Sequence, residues 1–232
     1  MRTRIRFFAI ANILIVVAGC ELDVVSDLYV SDLREVAAKG TVGLSTPATI
    51  AIEIPSTKKC DEYSAKLSEI MKGILIEFSP KSCKREGMES FLMSDTQIPL
   101  MGSEGEWRES KTLFGILAQL EDDGFIYVSI ASNAKKLEQL NARIRDEFRQ
   151  SIDLAESKVT LILNNDEREP IKYTVWGVFL DGQPIYYNQE STLKRRHTAE
   201  IELSNVGAAY LERNEYVNPL ALLHKTVKQD LK

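Results

Sequence analysis

Between residues 48 and 54 apolar and polar positions alternate. Ile50, Ile52 and Ile54 fall on one face and Ala51 and Glu53 on the other, the mark of a half-buried strand. After Pro55-Ser56 the period changes. Tyr63, Leu67, Ile70, Met71 and Ile74 recur at steps of three and four, which predicts a helix over 57–73, followed by a strand over 74–78. Upstream, Ser31 caps a short helix over 31–39 that Gly40 stops. Downstream, 89–94 and 97–101 read as strands around Asp95-Thr96. The stretch 102–110 has two Gly, two Ser and three Glu without periodicity and reads as a linker.

A second block repeats this order. Segments 112–120 and 125–131 are strand-like and joined by Glu121-Asp122-Asp123-Gly124, a hairpin signal. Asn133 caps a helix with Leu137, Leu140, Ile144 and Phe148 on one side, ending near residue 152. Strands follow over 159–163, 172–180, 183–187 and 198–203, with a polar loop over 164–170 and a tight Asp181-Gly182 turn. Ser204 caps a last helix to about residue 214. The expected fold is α+β: two small halves, 27–101 and 111–215, each an antiparallel sheet covered by an amphipathic helix. Residues 50–56 align with 126–132 at an offset of 76. That match reads either as a divergent duplication or as the common grammar of α+β domains.

The N-terminus follows different rules. Arg2, Arg4 and Arg6 precede an apolar run over 7–18 broken only by Asn12. Twelve helical residues cover about 18 Å against roughly 30 Å of hydrocarbon, so the run is a signal-peptide core and not a span. It closes on Val17-Ala18-Gly19-Cys20, which resembles the lipobox of bacterial lipoproteins. The resemblance implies cleavage after residue 19, a diacylglyceryl group on Cys20 and an acylated new amine. Several acyl chains anchor a protein stably without a transmembrane helix. Residues 20–26 then form the lipidated Cys and a short tether. Glu21, in place of the Asp that causes inner-membrane retention in enteric-type lipoproteins, implies the outer membrane, facing the periplasm. The run 44–56 with Cys60 also resembles uncharacterised proteobacterial or phage-borne lipoproteins.

Export on that pattern puts Cys60 and Cys83 in an oxidising compartment. The helix from Cys60 climbs about 20 Å and the following strand returns about 23 Å. Cys83 is therefore expected beside the helix start, within reach of a disulfide to Cys60. Neither a Cys-x-x-Cys motif nor a Cys/His metal spacing occurs, and no cofactor motif is present.

Without residues 1–19 and their three arginines, 26 basic face 34 acidic side chains, a formal charge of −8. This charge argues against nucleic acid, and leaves the acyl chains on Cys20 as the membrane attachment. No Gly-x-Ser-x-Gly elbow occurs. His197 and His224 lie in a basic run and near the tail, and Glu121-Asp122-Asp123 reads as a solvated turn. Lys194-Arg195-Arg196 is a positive cluster that either grips an anionic group on a partner or blunts an exposed strand edge. Trp176, Tyr186 and Tyr187 gather about the Asp181-Gly182 turn, where they either pack or bind. The apolar run 219–223 either docks on the body or meets another protein, and 216–232 is expected as a C-terminal tail. The reading is a non-catalytic, lipid-anchored module that binds or scaffolds a protein partner in the cell envelope. One alternative is an exclusion or inhibitor lipoprotein of a mobile element. Another is an envelope hydrolase whose carboxylates are assembled by the fold.

Overall fold

Most of the local periodicities become elements, but the elements join into one sheet. The structure, a computed structural model, describes residues 19–40 and 43–224. The expected signal-peptide residues 1–18 and the end of the tail, 225–232, lie outside the described residues. The first part of the chain runs β1 (Gly19–Cys20), β2 (Leu22–Tyr29), α1 (Val30–Lys39), β3 (Ser45–Glu53), a 3-10 turn (Thr57–Lys59), α2 (Cys60–Met71), β4 (Ile76–Glu86) and β5 (Glu89–Met101). It continues through α3 (Glu104–Glu109), β6 (Phe114–Leu120), β7 (Phe125–Ser132), α4 (Ala134–Phe148), β8 (Ser151–Ile152) and β9 (Val159–Asn164). Last come β10 (Ile171–Val175), β11 (Val178–Leu180), β12 (Gln183–Ile185), β13 (Gln189–Leu193), β14 (Thr198–Leu203), α5 (Asn205–Asn214) and β15 (Tyr216–Leu223).

Thirteen of these strands form one sheet in the order β12-β11-β14-β9-β2-β3-β5-β6-β7-β15-β10-β13, with β4 added on β5. The expectation of two sheet-plus-helix halves is therefore corrected to a mostly-β, nearly closed, barrel-like sheet. Two parallel pairings merge the halves: β2 lies against β9 from Val24↔Val159 to Tyr29↔Asn164, and β5 meets β6 at Leu100↔Ile116. The matched segments at offset 76 fall on β3 and β7. Their neighbours differ, β2 and β5 for the first and β6 and β15 for the second.

Three segments expected as connections or tail are structural. The tether is strand β2, in which Leu22, Val24, Ser26 and Leu28 are buried and Asp23, Val25, Asp27 and Tyr29 face outward. Its place between β3 and β9 uses both backbone edges. The linker is α3, capped by the Ser103 hydroxyl, which accepts from the Glu106 N–H at 3.3 Å. There Trp107 is buried with Met101, Leu117 and Ala131. Gly115 makes room for this cluster, since a Cβ at that position would lie 2.5 Å from the Met101 methyl and 2.7 Å from the Trp107 ring. The start of the tail is β15, between β7 and β10, so the apolar run 219–223 packs within the body.

Cys60, at the first turn of α2, and Cys83, on β4, form a disulfide with 5.8 Å between Cα atoms. It ties a helix to the outermost strand of that edge. Helix α4 lays Leu137, Leu140 and Ile144 into the core, and its Arg143 guanidinium donates to the Ile70 carbonyl at 2.6 Å. Phe148 meets Tyr63 of α2 with 5.8 Å between rings, so the two helices pack on each other.

Candidate functional site

A single strand was expected over 172–180, but it breaks at Trp176-Gly177 into β10 and β11. Gly177 has φ +66°, a left-handed value that L side chains resist. The return limb breaks opposite it, over 186–188, into β12 and β13. At the tip Asp181 and Gly182 both have positive φ, as a two-residue hairpin turn requires. The inner limb β10 pairs with β15 and the outer limb β11 with β14. One kinked hairpin thus carries both ends of the sheet, β12 and β13, three residues apart.

Side chains that find no place in the core stand at this bend. Tyr186 and Tyr187 are 82% and 79% exposed, and their rings meet edge to face at 4.7 Å. Beside them lies a cleft of about 290 Å³ lined by Asp123, Phe125, Tyr127, Thr174, Trp176 and Asn188, with Ala221 also contributing. The sheet register explains it. Tyr127, Ala221, Thr174 and Glu190 form one row across β7, β15, β10 and β13, so the small Ala221 leaves a floor between larger neighbours. Trp176 closes one side, its ring 6.3 Å from that of Tyr127 and tilted by 65°. The Asp123 carboxylate accepts from the Phe125 N–H and from the Tyr127 hydroxyl, each at 2.9 Å. That second bond, then burial and the charges of Asp123 and Glu121, push the Tyr127 phenol above its ordinary pKa. Across the bend a second, more apolar depression of about 250 Å³ is lined by Phe179, Pro184, Ile185, Tyr186 and Val206 among others. Val206 is 80% exposed.

Residues 22–229 match a family described as a domain of unknown function, DUF7424. The chain belongs to this family. The match begins on Leu22, the first residue of β2, so the DUF7424 domain includes the strand that was expected as a tether. It also covers both expected halves. No curated protein and no solved structure matches the chain.

The other singled-out residues of the DUF7424 domain are spread apart. Lys194, Arg195 and Arg196 are exposed, but they form the turn between β13 and β14 and not a strand edge. Arg196 has φ +60° and donates its N–H to the Asn165 carbonyl at 2.8 Å. The whole of β13 separates this turn from the tyrosine pair, about 17 Å at 3.3 Å per residue. His197 is exposed beside that turn, and His224 follows β15, where its N–H reaches the Gly124 carbonyl. Among the described residues no group of His, Cys, Asp or Glu could hold a metal ion.

Cys20 is 3% exposed and donates its thiol to the Glu53 carbonyl at 3.1 Å. Burial, and next the Glu53 charge, push that thiol up to about 12. Its surroundings are Ile52, Ile54, Leu67, Ile144 and Phe148. Sequence reasoning named Trp176, Tyr186 and Tyr187 but missed Asp123, Phe125 and Tyr127 as site residues. The signal was the spacing of Phe125 and Tyr127 two apart on a strand whose alternate residues, Ile126 and Val128, face the core.

Proposed function

We propose that this DUF7424 domain is a non-catalytic binding module of the cell envelope. Acyl chains on Cys20 hold it at the membrane, with Glu21 directing it to the outer membrane, and the hairpin bend engages its partner. The observation that carries the binding half is the exposure of Tyr186, Tyr187 and Val206 together beside two concavities. Large amphipathic rings held rigidly at a surface are favoured contact residues because they bury much area for little lost side-chain freedom. Asp123 is the one carboxylate among the described residues lining the cleft, whereas glycoside hydrolysis uses a facing pair.

The anchoring half rests on the lipobox resemblance. On this reading, cleavage removes Gly19 and with it the Gly19↔Ser151 half of the short β1–β8 pairing. The acylated sulfur then leaves its seam beside Glu53 and turns outward.

A photo-cross-linking residue placed at position 187 in intact envelopes is expected to capture a discrete partner. The same residue at Met88, 94% exposed in the turn between β4 and β5, is expected to capture none. Equal or absent capture at the two positions refutes the binding surface. Mass spectrometry of the native N-terminal peptide is expected to find diacylglyceryl on Cys20. An unmodified thiol or an intact leader refutes the anchor.

A further inference from the structure

We infer that the cleft beside the edge-to-face corner of Trp176 and Tyr127 is a site for an alkylated organic cation, a quaternary ammonium group free in solution or on a lipid headgroup. The inference rests on the binding reading of the hairpin bend and narrows it to a ligand class.

The walls carry the argument. Phe125 and Tyr127 stand two apart on the outward face of β7, and Trp176 faces them from the bend. Aromatic faces attract a cation lying within about 6 Å of the ring centre, Trp most strongly. The Trp176 and Tyr127 rings meet at 65°, not as a flat platform. Crossed walls enclose a compact, rounded group better than a planar one. A volume of about 290 Å³ lies at the lower end of ligand pockets and suits a headgroup over an extended chain.

Charge points the same way. Asp123 is at the rim, Glu190 occupies the same register row as Tyr127 and Thr174, and among the described residues no Lys or Arg lines the cleft. Lys172, two residues before Thr174 on the same face of β10, is exposed and outside the lining.

Hydrogen bonding separates an alkylated ammonium from a primary one. A primary ammonium brings three donors that need acceptors on burial. Both Asp123 oxygens already accept, from the Phe125 N–H and the Tyr127 hydroxyl. About two of the carboxylate's four acceptor positions remain, fewer than the three donors of a primary ammonium. A tetraalkylated nitrogen asks only for field and apolar contact.

The test titrates the purified protein with choline and, in parallel, with the neutral alcohol in which carbon replaces the ammonium nitrogen, read by saturation-transfer NMR on the methyl groups. Choline is expected to bind about tenfold or more tightly than the neutral alcohol, and Asp123→Asn to narrow that ratio severalfold. Trp176→Leu is expected to abolish choline binding, with the thermal midpoint confirming that the variant is folded. Asp123→Asn is close to isosteric and exposed, so it keeps the test decisive if Trp176→Leu misfolds. Equal binding of the two probes overturns the inference, as does choline binding that Trp176→Leu leaves intact. No choline binding alongside preserved cross-links from position 187 overturns the inference and leaves the partner surface standing. Co-sedimentation with phosphatidylcholine vesicles but not phosphatidylglycerol vesicles, competed by free choline, assigns the headgroup source. Binding of free choline without co-sedimentation assigns the soluble one.

Discussion

The sheet has three outer strands, β4 on a branch from β5, and β12 and β13 at the two ends, and the branch is armed differently from the ends. Strand β4, which pairs only with β5 among the described residues, carries Pro80, Lys81, Lys84 and Arg85 and two register shifts. Lys81 pairs with Asp95 at 2.9 Å and Lys84 with Glu86 at 2.7 Å. Proline, lysine and bulges keep an open strand from recruiting another chain, and the disulfide at Cys83 holds this edge against α2. The two ends at the bend have one such device, Pro184 on β12. Strand β13 pairs with β10 through five consecutive residues without a bulge, and Gln189, Glu190, Ser191 and Thr192 include neither proline nor lysine. Between these two strands the edge breaks at the tyrosine pair. Strand β4 thus carries guards that the strands flanking the exposed aromatic rings lack.

Breaking the guarded edge gives the largest effect. Replacing Cys60 and Cys83 together by Ser is expected to lower stability by about 3 kcal/mol, the loop-closure contribution for their separation. Scanning calorimetry reads it, and a loss below about 1 kcal/mol means that the edge is held by packing alone. At the bend, Gly177→Val forces a branched side chain into a left-handed conformation and is expected to cost about 1–2 kcal/mol in urea unfolding. An unchanged midpoint denies that the kink requires glycine.

Exchanging the devices sharpens the contrast. Gln189→Lys with Thr192→Lys is expected to leave stability within about 0.5 kcal/mol while cross-links from position 187 fall severalfold. The reverse swap, Lys81→Ser with Lys84→Ser, is expected to produce concentration-dependent association in sedimentation. If sedimentation stays monomeric, those lysines are not guards. The smallest effect is a titration. Lys84 beside Glu86 holds that carboxyl below its ordinary range. Because the folded value is the lower one, the pair's contribution is present above the ordinary carboxylate range and lost as pH falls through the depressed value. In Lys84→Ser the Glu86 resonance is expected to titrate at higher pH by NMR, and no change means the pair does not form in solution.

Local patterns in the sequence located most elements because they are set by short-range spacing. Alternating Ile50, Ile52 and Ile54 made β3, the three-four spacing from Tyr63 made most of α2, and Asn133 capped α4, its side chain accepting from the Lys136 N–H at 3.1 Å. The disulfide was legible because a helix and its returning strand fix where Cys83 lies. The partnerships were not, since Val24↔Val159 and Leu100↔Ile116 depend on surfaces far apart in the chain. Strand β2 passed for a tether because Ser26, a polar residue, occupies a buried position in its alternation. In the site, Tyr186 and Tyr187 were visible as aromatics beside a turn. The cleft was hidden because its floor, Ala221, belongs to a segment first expected as a tail.

Strand β2 enters near the start of the body, yet its second neighbour, β9, lies 135 residues further on in the chain, as the Val24↔Val159 pairing records. A chain emerging from the ribosome must carry β2 with one flank bare until residue 159 has been made. Any fragment that stops short of β9 inherits that raw flank permanently. Dissecting this protein into an N-terminal piece will therefore yield a sticky half-sheet, and the smallest unit that can stand by itself includes both β2 and β9.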